Sequence, residues 1–159
     1  MKKLLLSLLT LTFLVSCASY KPPDNYNFPK TRTYNLKYDY VWSKVIEWFG
    51  SKNTPIKNLD KASGFISTEY NLDVDKYDNY CDCGTYNAVM HLNDIRGNFN
   101  VIIRKISDTQ TQVTINTFFK AYFKEMNAWT GQYYVSDKKC NSIGKLEGEL
   151  FTYINNKFK

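Results

Sequence analysis

Histidine is nearly absent: His91 stands alone in a chain of 159 residues. The side chain best suited to carry protons near neutral pH is therefore scarce, and a lone imidazole inside "VMHLND" is more often structural than a general base. The sequence also lacks a G-x-S-x-G elbow, an H-E-x-x-H pair and a phosphate-cradling glycine loop. Carboxylates do fall in pairs, Asp73 with Asp75 and Glu147 with Glu149, but turn and helix-surface placement is their default. A hydrolase built from distant carboxylates is the least favoured class. C-x-x-C is missing, which removes the usual dithiol redox motif. No catalytic residue, metal or cofactor is assigned on these grounds. Like charges never run on for long, so the net charge of +6 describes a mildly basic, solvated surface and not a nucleic-acid stripe.

What is present begins at the amino terminus. Lys2 and Lys3 precede an apolar run from Leu4 to Phe13, too short for a stable membrane span and flanked like a cleaved export signal. Leu14-Val15-Ser16-Cys17 follows, with a branched aliphatic three residues before a cysteine and a small residue directly before it. This resembles the lipobox of bacterial lipoproteins. The resemblance implies cleavage between Ser16 and Cys17, a thioether-linked diacylglycerol on Cys17, and usually a third acyl chain on the new amino terminus. Two or three chains make an anchor effectively permanent, whereas one holds only marginally. Ala18 stands where an Asp would retain such a protein in an inner membrane, so the expected address is the outer membrane, with the domain facing the periplasm. An exported protein meets no genome, so nucleic acid is not an expected partner. Removal of residues 1–16, Lys2 and Lys3 among them, leaves 143 residues and a net charge of +4, enough chain for one domain.

Residues 17–33 read as a lipidated terminus and flexible tether. "ASYKPPDNYNFPKTR" carries three prolines, several turn formers and no apolar period. Residues 34–159 read as a single α+β domain. In "YDYVWSKVIEWFGSKN", Val41, Trp42, Val45, Ile46 and Phe49 recur at helical spacing, Asp39 is placed as a cap, and Gly50 as a stop. "PIKNLD" and "GFISTEY" read as neighbouring short strands. "FNVIIRKI" and "QVTINTFFKAYF" read as a hairpin turning at Ser107-Asp108-Thr109, with Val113, Ile115, Thr117, Phe119, Ala121 and Phe123 along one face. The other face carries Gln112, Thr114, Asn116, Lys120 and Tyr122. A last amphipathic helix, "SIGKLEGELFTYINNKF", has its stripe at Ile143, Leu146, Leu150, Ile154 and either Phe151 or Phe158. Gly144 and Gly148 suggest close approach, here to a strand. The expected fold is an antiparallel sheet packed against two helices in two layers.

The stretch "YDYVWSKVIEWFGSKNTPIKNLDKASGFISTEY" resembles the helix-grip domains of lipoprotein C of the outer-membrane β-barrel assembly machine, and periplasmic lipoproteins of similar plan. The resemblance spans about residues 33–159 and implies the two-layer fold and an accessory role in an envelope protein complex. This chain has one such domain where the assembly lipoprotein has two, and it shows no counterpart of that protein's long partner-binding segment. "CDCG" and "CNSIGKLE" look like a paired signature in which two cysteines are joined. With Cys17 lipidated, Cys81, Cys83 and Cys140 remain, and one bond is expected in an oxidising compartment. A Cys81–Cys83 ring would be strained, so Cys140 pairs with one of those two. Gly84 allows a sharp turn after Cys83, and Cys140 sits just before the last helix, which favours Cys83–Cys140. The rival is a Cys₃His metal set of Cys81, Cys83, His91 and Cys140. Tyrosine is abundant, at thirteen residues, and Tyr77, Tyr80, Trp129, Tyr133 and Tyr134 in polar loops form the candidate contact surface. The expected function is a non-enzymatic accessory or binding component of the envelope. The alternative is a free-standing lipoprotein holding a small ligand or glycan between sheet and helix.

Overall fold

The computed structural model describes residues 20–72, 79–86, 90–127 and 129–156. Ser16, Cys17, Asp73, Asp75, Tyr77 and Phe158 lie outside these residues. In chain order the elements are β1 (Thr31–Tyr34), α1 (Tyr38–Ser51), β2 (Ile56–Asp60), β3 (Phe65–Leu72), β4 (Cys81–Asp82), β5 (Met90–Lys105), β6 (Thr111–Met126), β7 (Tyr133–Ser142) and α2 (Lys145–Asn156). They build an open seven-stranded antiparallel sheet, in the order β2-β3-β5-β6-β7-β4, with β1 also paired to β6. The two helices make the second layer, so the fold is α+β.

The long hairpin dominates. β5 and β6 pair from Met90 opposite Glu125 to Lys105 opposite Thr111. Alternation along both strands sends Ile95, Phe99, Val101 and Ile103 to the same side as Val113, Ile115, Phe119, Ala121 and Phe123, all buried. β5 starts well before the expected Phe99. "HLNDIRGN" is full of turn formers, yet every residue except Asn93 finds a ladder partner on β6, and a bulge between Leu92 and Asp94 absorbs Asn93. At the other end, the amides of Ile106 and Ser107 both donate to Gln110 O, closing the turn around Ser107-Asp108-Thr109.

α1 covers the buried face with Val41, Trp42, Val45, Trp48 and Phe49. Trp48, absent from the expected stripe, is buried and packs edge-on against Phe49 and Phe99, while Ile46 is only half-buried. Burial of a Phe of this kind stabilises by roughly 1.5–3 kcal/mol. Neither expected terminal signal acts where it was placed. Lys37 precedes the helix and no side chain caps it; Asp39 lies inside the first turn and pairs with Lys61 at 2.8 Å, where its charge still suits the helix dipole. Gly50 stays helical, and the left-handed residue that ends the helix is Asn53, with φ 50°.

α2 buries Leu146, Glu147, Leu150, Phe151 and Ile154, while Ile143 falls outside the helix. Glu147 is fully buried, which overturns its surface placement. Its carboxylate accepts from Thr117 Oγ1 at 2.6 Å and Ser142 Oγ at 2.9 Å, and this explains a threonine in the apolar row of β6.

Residues 20–34 are part of the fold, not the spacer expected through residue 33. Lys21 and Thr85 exchange both backbone hydrogen bonds, Lys30 O accepts from Ile115 N, and Thr31 to Tyr34 pair with Thr114 to Thr111. Proline keeps such a segment extended, and an extended strap can be held at a sheet edge wherever its remaining N–H groups find partners. The domain therefore begins no later than Tyr20.

The two glycines play different parts. Gly144 precedes α2 with φ +83°, and a Cβ there would sit 2.5 Å from Phe28 Cγ on the strap. Gly148 faces open space, so the close approach is to the strap at Gly144 alone. Gly144→Ala is expected to destabilise by about 1–3 kcal/mol. Gly148→Ala is expected to stabilise by up to about 1 kcal/mol. Urea denaturation of the two variants checks both signs.

Candidate functional site

Among the described residues, the face of the sheet turned away from the helices is left open. It forms an open concavity of about 1230 Å³. The outward positions of the long hairpin supply its floor: Arg96, Asn98 and Asn100 from β5, and Phe118, Lys120 and Tyr122 from β6. Lys57, Asn58 and Ser67 close one side, Lys139 and Asn141 from β7 the other, and Asn25, Tyr26, Phe28 and Lys30 of the strap complete the wall.

Three kinds of chemistry meet there. Lys30, Lys57, Arg96, Lys120 and Lys139 are cationic, and no carboxylate lines the concavity among the described residues. Arg96 is paired with Asp94 at 3.0 Å and Lys120 with Asp137 at 2.8 Å, both carboxylates lying outside the lining. The Lys120 side chain holds the Asp137 carboxyl below its usual range and is itself raised by it. Amides form a second set, with Asn116 donating to Asn100 at 2.9 Å and Asn58 to Ser67 at 2.9 Å. Aromatic rings form the third. Phe118 is 56% exposed on an otherwise polar row, and Arg96 stacks 4.9 Å from the Tyr122 centroid.

The strap wall is clasped by Asp82. Its carboxylate accepts from the amides of Gly84 and Asp24 at 2.8 and 2.9 Å and from the Tyr26 hydroxyl at 3.1 Å. Partial burial opposes ionisation of Asp82, but these hydrogen bonds and the nearby Lys21 outweigh it and hold the carboxyl below the usual range. Gly84, at φ +80°, brings its backbone so near the strap that a Cβ would lie 2.1 Å from Lys21 O.

Cys83 and Cys140 are joined, with sulfurs 2.05 Å apart. The bond ties the segment that holds the strap to the end of β7. Cys81 is buried with Sγ 3.9 Å from Cys83 Sγ, and the sulfurs of Cys81, Cys83 and Cys140 lie within 4.8 Å of one another. Exposed His91, opposite Lys124 on the ladder, does not belong to this cluster, so the four-ligand set is not assembled. Two of its sulfurs are engaged with each other in any case.

The expected aromatic surface is divided. Trp129, Tyr133 and Tyr134 are exposed together at the β6–β7 turn. Tyr80 is half-buried at the opposite end of β7, under Lys145 and beside Ile143, whose amide its carbonyl accepts. The space between sheet and helices is filled by Trp48, Phe49, Phe99 and Phe151, so the room for a ligand is on the other face. Lys120 and Tyr122 were legible as outward residues. Phe118 and the outward row of β5 were missed, although an aromatic in the wet register of β6 was the available signal. No family model and no curated protein matches the chain.

Two outcomes are expected. Because the Asp82 carboxyl is depressed in the fold, its contribution is complete above the ordinary carboxylate pKa of about 4 and is lost as pH falls through the lower folded value. Protection factors for amide hydrogen exchange across residues 20–29, corrected for the intrinsic pH dependence of exchange, should therefore fall on acidification, and in Asp82→Ala at neutral pH. For the disulfide, a 57-residue separation corresponds to about 4 kcal/mol in the chain-entropy model. Cys140→Ser should lose about that much. Cys83→Ser should lose less, because Cys81 is close enough to take its place; denaturation with non-reducing peptide mapping reads both.

Proposed function

We propose that this protein is a membrane-anchored envelope lipoprotein, lipidated at Cys17, whose open sheet face binds an acidic, hydroxyl-rich glycan. The observation that carries the ligand class is the lining of the concavity. Cations suit carboxylate or phosphate groups on the polymer, and fixed side-chain amides suit hydroxyls. Exposed Phe118, beside half-buried Tyr122, offers flat apolar surface to a sugar ring. An open concavity fits one stretch of a long polymer better than a small molecule that must be enclosed. The anchor rests on Leu14-Val15-Ser16-Cys17 and the short apolar run before it. The reading is a binding role, supported by the cations, amides and aromatic rings that line the face among the described residues.

Calorimetric titration tests the ligand class. An acidic polysaccharide such as polygalacturonate should bind, and neutral dextran should not. Binding should weaken as salt rises, since the Debye length is already about 10 Å at 0.1 M. Phe118→Ala should weaken binding about tenfold, near 1.4 kcal/mol, with Lys139→Gln losing less. Equal affinity for both polymers removes the proposal. The anchor is read independently: Cys17→Ser should move the protein from the membrane fraction to the soluble one, and the intact mass of the native chain should carry acyl groups.

A further inference from the structure

The β6–β7 turn carries an apolar group that neither the core nor the concavity uses. Trp129 is 97% exposed at the tip, Val135 is 68% and Tyr133 58%, and Met126 is exposed opposite Tyr133. A fully exposed Trp beside three more apolar side chains is unusual on a surface that meets only water. Register puts Met126, Tyr133 and Val135 on one side of the hairpin, and Lys124 lies over the Tyr133 ring at 4.5 Å. Tyr134 falls on the opposite side, its hydroxyl donating to Glu125 at 2.7 Å, and Ser136 donates to the same carboxylate. The local acid is thus engaged within the protein, and a lysine faces the apolar side. Tryptophan and tyrosine with a flanking lysine is the composition that settles at a membrane–water interface.

The path of the strap says which surface the tip would meet. Followed backwards from Thr31, the chain passes Gly144, then Asn141, and reaches Tyr20, whose ring lies under Lys138. Lys138 is opposite Ala121, so the strap climbs β6 toward its Met126 end. From Ala121 to Met126 is five residues of strand, about 17 Å. Cys17, three residues upstream of Tyr20, lies within about 11 Å of it along the chain. The described strap therefore ends on the half of β6 that leads to the tip, three residues from the proposed anchor at Cys17.

We propose that the β6–β7 tip is a lipid-contact element, with Trp129, Tyr133, Val135 and Met126 seated in the headgroup region of the bilayer to which the chain is tethered. The bilayer as occupant rests partly on the Cys17 anchor proposed above; the composition of the tip does not. A seated tip limits rotation about the tether and holds the domain in one orientation. It also lends the surface a second, non-covalent attachment.

Tryptophan fluorescence isolates the tip, because the other two tryptophans, Trp42 and Trp48, are buried. The full-length protein is purified with its lipid and reconstituted into vesicles of phosphatidylethanolamine and phosphatidylglycerol, with and without brominated acyl chains. Brominated lipid should quench the emission, and that quenching should disappear in Trp129→Phe. Val135→Asp should reduce it, with unchanged circular dichroism showing that the fold is intact. Identical emission in the two kinds of vesicle overturns the proposal. So does a photo-crosslinker at position 129 that captures an envelope protein and no lipid in intact cells. Intact mass of the same sample keeps the two ideas apart. An acylated chain without quenching leaves the anchor standing and removes the tip. An unacylated chain that is quenched when added to vesicles does the reverse.

Discussion

The β5–β6 ladder sets everything else in this molecule. β6 holds β5 along its whole length on one edge, and shares its other edge between β1 near Thr111 and β7 near Met126. Because side chains alternate with period two, a slip of one residue would carry Val101, Ile103, Val113 and Ile115 from the dry side to the wet one. Burying those aliphatics fixes the register, and the register in turn fixes which residues line the concavity. The bulge between Leu92 and Asp94 has a clear effect on the same alternation. Met90 and Ile95 are both buried although their numbers differ in parity, and the extra residue between them makes that possible.

A polar clasp then locks the second layer onto this sheet. Ser142 ends β7, its hydroxyl accepts from the Gly144 amide, and it donates to Glu147 in the first turn of α2. Thr117 donates to the same carboxylate from β6. A buried carboxylate is costly unless its lone pairs are met, and here two hydroxyls and the start of a helix meet them. The clasp has little freedom to shift, because Thr117 belongs to the central ladder. Phe28 closes against Gly144 beside it, so the same corner receives the strap. Strap, helix start and the Cys83–Cys140 bond converge within a few residues of the end of β7.

Much of this fold was legible in the sequence, and what was not failed for identifiable reasons. The apolar alternation of β6 and the period of α1 come through because each is a long, regular pattern. β5 was cut short because Asn93, Asp94, Gly97 and Asn98 favour turns locally, and a continuous partner strand overrides that preference. Proline marked the strap as spacer, yet proline forbids only donation at its own nitrogen and leaves its neighbours able to pair. Glu147 was placed at the surface because a carboxylate usually belongs there; its partners lie 30 residues away at Thr117 and on the preceding strand, beyond any local pattern. The concavity was half visible in Lys120 and Tyr122, whereas Arg96 and Asn98 required the register of a strand whose extent was missed.

The hairpin tip and the concavity share more than a strand pair. Met126, Tyr133 and Val135 occupy the outward register that, further along β6, presents Tyr122, Lys120 and Phe118. One face of the sheet therefore grades from apolar at the turn to cationic and amide-rich toward the middle of the hairpin. A domain resting on a bilayer at the turn, as proposed, would hold the polar stretch just above the headgroups, within reach of any polymer attached to the same surface. Confinement of that kind raises the effective concentration of a ligand far above its bulk value. Modest contacts then suffice, and an open concavity is a reasonable solution where a deep, enclosing pocket would otherwise be needed.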